Sequence, residues 1–472
     1  MKGVSHLHDN SIPCLVHRAA NLFPDRTAIL SGEQKLTFVE LEKQVQLLAD
    51  YFAEIGIRPG EVVQLALPNT LTLILSLLGL MRTGAIVSPI NPKFPDRQQN
   101  RVRLATGAAW LVGESANNHQ QISENMIRQA LLNRSTPRYG TTPTPAAFSP
   151  LIPCSLILTS GSTGLPKAAA LGYRQHYCSA SGANALIPLG EGDRNLLSLP
   201  VFHIGGFSIL FRCLMAGATV VLSQHNGLFE DIDRLGISHV SLVAVQLGRL
   251  LDQGAPHSLK HLLIGGGPVS CTLLDRARKA GLHCWHTYGL TEMCSQVYTH
   301  SPDGHGHLLT HRQLKLNQAN EILVKGDTLF QGYLTDNGQL DLPLDNDGWF
   351  ATGDLGIMQG DRLDITGRKD NQFISGGENI QPEEIEYFIN RMEGVKRSLV
   401  VPQPDRTYGF RPVVFIEAEQ AVSLRALQKE LRQQLPGFKI PVAIYPWLDG
   451  TGIKPDRSAC RRHAASQAKT AG

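Results

Sequence analysis

The sequence predicts an α/β protein: a large N-terminal α/β domain of layered sheets and helices that carries a β-rich subdomain, followed by a small α+β domain. Three observations predict it. Short apolar runs alternate with helical stretches from about residue 15 to 315. The texture then changes to short strands separated by Gly, Asp and Asn. A last segment of helices and strands follows Gly367-Arg368-Lys369-Asp370. Strands that alternate with helices favour parallel pairing with helices covering the faces. A chain of 472 residues also exceeds what a single core supports. The expected boundaries are 1–369 for the N-terminal domain, with the β-rich subdomain at about 318–369, and 370–472 for the C-terminal domain.

Along the chain, Val62–Leu67 reads as a strand and Leu71–Met81 as the buried helix after it. That helix lies between Asn69 and Arg82 and is too short to span a bilayer. Ser155–Leu158, Leu196–Leu199, Thr219–Leu222, Val240–Val243 and Leu262–Ile264 continue the strand series. Glu321–Lys325, Gly348–Ala351, Leu355–Met358 and Leu363–Thr366 are the short strands of the β-rich part. Pro382 suits a first helical turn, and Glu383 and Glu384 complement the positive end of the helix dipole. Arg397–Val401 and Val413–Glu417 are strands, and Leu424, Leu427, Leu431 and Leu435 mark one helix face. The tail after Ala464 is expected to fray.

Composition excludes several classes. Apolar residues make up 42% and charged residues 18%, and the net charge of +3 is spread over both signs. No basic run marks a nucleic-acid footprint. No repeat at a fixed period suggests a solenoid. The N-terminal residues form no apolar signal core, and no segment reads as transmembrane. The eight cysteines are scattered without a C-x-x-C pair, which fits free thiols in a reducing cytoplasm. His300, His305, His307 and His311, with His283, Cys284 and His286 upstream, offer zinc-type ligands. Their spacing is loose and Pro302, Asp303, Gly304 and Gly306 interrupt them, so this stretch reads as a flexible loop.

The most telling segment runs from the strand Ser155–Leu158 into Thr159-Ser160-Gly161-Ser162-Thr163-Gly164-Leu165-Pro166-Lys167. The glycines permit unusual backbone angles and let amide groups approach an anion. The hydroxyls of Ser160, Ser162 and Thr163 add donors, and Lys167 adds a cation. Such a loop suits a polyphosphate. It is not a Walker A loop, because Pro166 precedes the lysine and Ala168 follows it.

This string resembles the phosphate-loop motif of the acyl-adenylate-forming (ATP-dependent AMP-binding) superfamily. Further segments resemble that superfamily's motifs in its order. Leu36-Thr37-Phe38-Val39-Glu40-Leu41 and Gly84–Pro92 come first, then Pro200-Val201-Phe202-His203, Gly265-Gly266-Gly267-Pro268 and Tyr288-Gly289-Leu290-Thr291-Glu292. Thr352-Gly353-Asp354, Gly367–Asp370, Ser375–Glu386 and Thr451-Gly452-Ile453-Lys454 complete the set. The resemblance implies a ligase that uses ATP, Mg2+ and CoA, with a small carboxylate as the partner substrate.

It also implies the roles. Residues 159–167 hold the β- and γ-phosphates, Thr291 contacts the α-phosphate, and Glu292 holds Mg2+. Asp354 takes the ribose hydroxyls with help from Arg368. Gly265, Gly266 and Gly267 pack on adenine, and Tyr288, beside Gly289, covers its other face. Lys454 bridges the substrate carboxylate and the α-phosphate. His203 gates the acyl pocket and assists thiolation. The C-terminal domain is mobile and swings about Asp370, bringing Gly376 and Gly377 to the pantetheine tunnel. Two departures stand out: Ala168, Ala169 and Ala170 replace the usual glycine after the loop lysine, and Ile453 separates Gly452 from Lys454. Lys439 and Lys469 are the nearest other lysines and lack the glycine context.

Within the superfamily, the compact length and the strings Leu197–His203, Val245–Leu251 and Phe373–Glu383 resemble the o-succinylbenzoate–CoA ligase branch of menaquinone biosynthesis. The second carboxylate of such an acid needs polar partners, for which Gln246, Arg249 and Ser295 are candidates beside the alternative of plain surface positions. Another aryl-, dicarboxylic- or medium-chain acid–CoA ligase is the rival reading. A non-catalytic nucleotide-binding module is the remote one. The sequence allows a homo-oligomer and does not specify one.

Overall fold

The computed structural model describes residues 12–114, 120–134, 147–150, 152–159, 167–223, 230–267, 269–448 and 456–470. Two large sheets carry most of the chain before residue 310. The eight-stranded sheet runs in the order Leu340–Asp341, Gly332–Leu334, Lys167–Gly172, Pro153–Thr159, Ile86–Pro89, Val62–Ala66, Trp110–Gly113, Gln121–Ile122. The nine-stranded sheet is centred on the parallel strands Cys284–Leu290, His261–Ile264, His239–Leu242, Arg194–Leu196, Thr219–Leu222 and Thr27–Ser31. The parallel strands of the eight-stranded sheet read as apolar runs because both faces are covered, as parallel sheets require. Val63, Val87, Val112 and Ile157 are all fully buried.

Local chemistry sets the helix between the sheets' first strands. Thr37 and Glu40 form a reciprocal capping box at the start of Phe38–Glu54: the Glu40 amide donates to Thr37 Oγ1 (3.2 Å) and the Thr37 amide to Glu40 Oε2 (2.8 Å). This satisfies two amides that the helix leaves unpaired. Leu71–Arg82 packs closely beside this helix. A Cβ at Gly79 would sit 3.0 Å from Leu48 Cβ, so glycine sets the approach distance. One buried ion pair joins the two helices. Arg82, 2% exposed, donates Nη2 to Glu42 Oε2 (2.6 Å) and Nη1 to Glu42 Oε1 (3.0 Å). Burial opposes the Arg82 charge, and neighbouring Cys14 and Glu42 more than offset it, so its pKa lies above the usual arginine range.

The later chain forms smaller sheets. Gln313–Leu316, Glu321–Lys325, Phe350–Gln359 and Arg362–Arg368 make a four-stranded antiparallel sheet. The intervening strands Gly332–Leu334 and Leu340–Asp341 instead extend the eight-stranded sheet. After Asp370, Phe373–Ser375 and Glu378–Ile380 form a hairpin, and Val395–Asp405, Gly409–Ala418 and Ile444–Pro446 form a three-stranded sheet. Pro382 occupies the first turn of Pro382–Ile389 as expected. Among the described residues, no helix is long and apolar enough to cross a membrane.

Four expectations need correction. Leu196–Leu199 is a strand only to Leu196, within Arg194–Leu196; the Leu197 and Leu199 carbonyls are held by the Asn69 side chain instead of a ladder. The two strands expected at 348–351 and 355–358 are one, Phe350–Gln359, which absorbs Gly353 at φ +74° and a register shift at Leu355/Gly356. The histidine stretch is a hairpin, not a flexible loop: Ser295–His300 pairs with Gly306–Leu308, and the turn closes through Gly304 at φ +95°. The tail does not fray at Ala464. A helix runs from Arg457 to Thr470, and Cys460 and fully buried Ala464 pack beneath Leu399, Val413 and Phe415.

Glu42→Ala strands the Arg82 guanidinium in the core. We expect a loss of about 3–5 kcal/mol of stability, read from the urea midpoint, with much of it recovered by Arg82→Met in the same chain. Buried neutral histidines set the acid limb. Burial lowers His176 to about 3 and His239 and His286 to about 4. The unfolded chain, with histidine near pKa ~6.5, therefore takes up protons first as pH falls. This contribution to stability is complete above ~6.5 and lost toward pH 4. Urea midpoints measured from pH 7.5 to 4.5 should fall progressively, and a flat profile would contradict it.

Candidate active site

Loops that follow parallel strands leave from one edge of the sheet, and such edges hold ligands in open α/β sheets. His239–Leu242, His261–Ile264 and Cys284–Leu290 run parallel in register. The segments that follow them begin at Val243, Gly265 and Thr291, so all three leave from this edge. Leu197–His203 follows Arg194–Leu196, which is parallel to the same set. Asn69, just beyond the strand Val62–Ala66, ties in the other sheet. Its Nδ2 donates to Leu199 O (2.8 Å), and its Oδ1 accepts from the Val201 amide (3.1 Å).

Backbone geometry at this edge is tight. A Cβ at Gly265 would come 2.8 Å from Thr287 Cγ2, and one at Gly289 would land on the Ser295 carbonyl. Gly266 has φ +83° and Gly267 faces open space. Thr291–Met293 is a single 3-10 turn that ends on Cys294 at φ +54°, and Ser295 follows at φ +96°. Left-handed angles at two successive non-glycine residues are costly, and surrounding contacts must hold them. Here the Ser179 hydroxyl donates to the Cys294 carbonyl, and Cys294 Sγ lies 3.2 Å from His176 Nδ1. His176 in turn lies 2.8 Å from Ser155 Oγ and stacks on Phe207 and Phe211. The turn that carries Glu292 is thus anchored to the strand that leads into Thr159.

Two charged groups meet here. In the first, Tyr288 OH donates to Asp354 Oδ2 (2.7 Å), Arg368 Nη1 donates to Asp354 Oδ1 (2.9 Å), and Arg368 Nε donates to Asp370 Oδ1 (2.9 Å). Burial raises the Asp354 pKa despite Arg368 beside it. Burial and the Asp354 charge also hold the Tyr288 phenol well above the ordinary range. In the second, Tyr333 OH donates to Glu292 Oε1 (2.6 Å), and Lys167 Nζ sits 4.7 Å from the Tyr333 ring centroid. Glu292 keeps Oε2 free of any protein hydrogen bond among the described residues, so a hard oxygen ligand is available for Mg2+.

Other expected site residues fall as follows. Thr159 and Lys167 are paired across the strands Pro153–Thr159 and Lys167–Gly172, so they clamp the two ends of the loop between them. Ser160, Gly161, Ser162, Thr163, Gly164 and Lys454 lie outside the described residues, as does Pro268. His203 is exposed at the start of the helix Ile204–Ala216. Gln246 caps its own helix, its Oε1 accepting from the Val243 amide (3.0 Å). Arg249 is exposed one turn further along. Ser295 begins a strand three positions across the sheet from His239–Leu242, about 14 Å away at ~4.8 Å per strand. Gln246 and Arg249 thus share one helix, and Ser295 lies on a different strand of the same sheet. Asp370 lies in the turn Lys369–Asn371. Gly376 and Gly377 form the hairpin turn between Phe373–Ser375 and Glu378–Ile380, with φ +59° and +88°, the signs a two-residue type I′ turn demands.

Sequence reasoning missed Tyr333, which touches both Lys167 and Glu292, because nothing local marks where a strand tyrosine points. Arg212, on the helix that His203 opens, is a buried guanidinium that donates to Asn184 Oδ1 (3.0 Å) and the Ile187 carbonyl (3.3 Å), and burial lowers its pKa. One further cluster has metal-ligand chemistry: donor atoms of Cys178, His311 and Asp327 lie within 4.8 Å of one another. Arg174 Nη2, at 2.8 Å from Asp327 Oδ1, already supplies a cation there.

Comparison with known proteins places this arrangement. Residues 16–334 match the model of the family described as AMP-binding enzyme. The chain is 38% identical over 451 residues to the 2-succinylbenzoate–CoA ligase of Salmonella typhimurium, covering 94% of this chain and 96% of that one. It is 36% identical to that of Escherichia coli over 448 residues, covering 93% and 96%. The fold superposes on an arginine-to-lysine variant of E. coli MenE with bound OSB-AMS at TM-score 0.86 and 32% identity, covering 98% of this chain and 100% of that one. It superposes on Bacillus subtilis MenE in complex with the acyl-adenylate intermediate OSB-AMP at TM-score 0.85 and 26% identity, covering 96% and 99%. The B. subtilis complex with ATP and magnesium ion gives TM-score 0.84 at 27% identity, covering 94% and 97%.

The raised Asp354 pKa has a measurable consequence. Its ionised form is disfavoured in the fold, so the cost appears as pH rises through the unfolded value near 3.8 and is complete above the folded value. Asp354→Asn should therefore raise Tm slightly at pH 7 and leave it unchanged at pH 3. A fall in Tm at pH 7 would mean that the Arg368 pairing outweighs burial.

Proposed function

The chain belongs to the AMP-binding enzyme family, and on that premise we propose that it is an ATP-dependent 2-succinylbenzoate–CoA ligase. The observation that carries this reading is near-full-length similarity to ligases of that acid, over 94% of the chain at 38% identity. The charged groups at the sheet edge supply the physical side of the case. Two half-reactions follow. In the first, a substrate carboxylate oxygen attacks the α-phosphorus of ATP. The bond to the bridging oxygen breaks, and pyrophosphate leaves. In the second, the CoA sulfur attacks the acyl carbon, AMP leaves, and the thiol proton passes to solvent or base. The succinyl carboxylate is the one activated.

We assign the residues accordingly. Bringing two anions together requires donors fixed in advance where charge develops. Lys167 and the loop from Thr159 bind the β- and γ-phosphates, and Thr291 binds the α-phosphate. Glu292 is the protein ligand for Mg2+, which supplies charge neutralisation on the polyphosphate when bound. Asp354, between Tyr288 and Arg368, is placed to accept ribose hydroxyls, and Gly265–Gly267 leave room for a flat base. Lys454 carries the positive charge to the reacting carboxylate. His203 stands at the mouth of the acyl side. Residues 370–472 act as a lid that turns about Asp370, and this turn presents Gly376 and Gly377 to the pantetheine arm. Eight free thiols fit a cytoplasmic enzyme.

A panel of acids assayed by pyrophosphate release tests the substrate. 2-Succinylbenzoate should give the highest kcat/KM. Turnover of benzoates or medium-chain acids without turnover of 2-succinylbenzoate would replace the proposal with the wider ligase reading. Lys454→Ala should lower adenylate formation by about 10²–10³-fold, the usual cost of losing a transition-state donor. ATP binding should change little, and wild-type adenylation in this variant would remove Lys454 from the reaction.

A further inference from the structure

Lys167 and Glu292 carry opposite charges and flank one aromatic side chain. Tyr333 lies in the strand Gly332–Leu334, which pairs antiparallel with Lys167–Gly172 through Ala169. Its hydroxyl donates to Glu292 Oε1 at 2.6 Å, and Lys167 Nζ lies 4.7 Å from its ring centroid. The ring cannot drift. Phe330, buried to 1% exposure, meets it edge-on at 4.7 Å, and the Phe330 amide donates to the Glu292 carbonyl at 2.7 Å. The same short segment thus fixes the backbone of the Glu292 turn and inserts a side chain between the two charges.

An ammonium and a carboxylate that contact the same side chain attract each other and would close to an ion pair if nothing intervened. That pair would cancel the charge each group must present to a polyphosphate and its metal. The aromatic face gives Lys167 a favourable seat that leaves its donors available. The phenol gives Glu292 a hydrogen bond and leaves its second oxygen for a cation.

We propose that Tyr333 is a positioning residue for adenylation: it keeps Lys167 and Glu292 apart, each charged and aimed at the incoming magnesium–ATP. This rests on the reading of Lys167 and Glu292 given under the proposed function. Tyr333 acts through these two groups and no bond to substrate is assigned to it.

Two variants separate the ring from the hydroxyl. Tyr333→Phe keeps the spacer and loses one hydrogen bond to a charged group. The Mg2+ concentration for half-maximal adenylation should rise about tenfold, with kcat within about threefold of wild type. Tyr333→Leu removes the spacer. Its kcat/KM for ATP should fall about 10²-fold, and 0.3 M NaCl (~6 Å screening length) should restore part of the loss by weakening the new ion pair. Thiolation started from preformed acyl-adenylate should be unchanged in both, and thermal melting reports folding. Wild-type Mg2+ dependence in Tyr333→Phe overturns the proposal, whether or not Tyr333→Leu folds. Lys167→Ala and Glu292→Gln, run in parallel, distinguish the two failures. If neither lowers adenylation, the site reading itself is wrong; if both do and Tyr333→Phe behaves as wild type, only the role of Tyr333 falls.

Discussion

The candidate site is organised around carboxylates that accept phenol hydrogen bonds. Among the described residues, Glu292 and Asp354 lie beside the basic Lys167 and Arg368, and Asp370 also pairs with Arg368. Glu292 accepts its phenol hydrogen bond from Tyr333 and Asp354 from Tyr288. A phenol satisfies one lone pair without contributing charge, so the carboxylate keeps its net charge for a ligand. The two halves differ in what they allow beyond that. Arg368 binds Asp354 directly and is itself shared with Asp370. Lys167 is kept on a ring face. The Asp354 group is therefore a preformed network of ion pairs and a hydrogen bond. In the Glu292 group the carboxylate and Lys167 each contact Tyr333 and form no ion pair with each other among the described residues.

These placements need a rigid frame, and two sheets supply it. The C-terminal ends of the parallel strands set the position of Gly265 and Thr291, and Asn69 pins Leu199 and Val201 against the other sheet. The turn 291–295 carries the local strain. Its left-handed residues Cys294 and Ser295 adopt angles that glycine would take more cheaply. Gly289 has no side chain to clash with the Ser295 carbonyl, which permits the two paired strands to approach so closely at this point. His176 and Ser179 hold the strained carbonyl and thiol from below. His176 is neutral because it is buried, which suits a residue that must bridge Ser155 and Cys294 without adding charge to a site already crowded with it.

Much of this was legible in the sequence. The strand and helix series before residue 315 was read correctly wherever apolar runs were long, as at Val62–Ala66 and Leu71–Arg82, because burial on two faces leaves an unmistakable pattern. Failures came where tertiary contacts overrule local composition. Polar, glycine-rich residues 300–306 look like a loop until the neighbouring strand supplies a ladder. Gly353 looks like a break until a register shift absorbs it. The helix after Arg457 lacks an apolar face of its own and is stabilised by the underside of the three-stranded sheet through Cys460 and Ala464. In the site, ordered motifs brought Glu292, Asp354 and Arg368 into view. Tyr333 and Asn69 escaped because their significance lies in the direction of a side chain, which no spacing rule encodes.

Arg368 links the Asp354 carboxylate to the chain that follows it. Arg368 joins the Asp354 carboxylate to the Asp370 carboxylate. The Asp370 backbone meets Arg461 (3.5 Å), and the Arg368 carbonyl accepts from Gln381 (3.1 Å). A rotation about Asp370 could not leave the Arg368 guanidinium undisturbed. It would break or re-aim one of its two carboxylate bonds, so the turn at Asp370 and the Asp354 carboxylate are tied through one side chain.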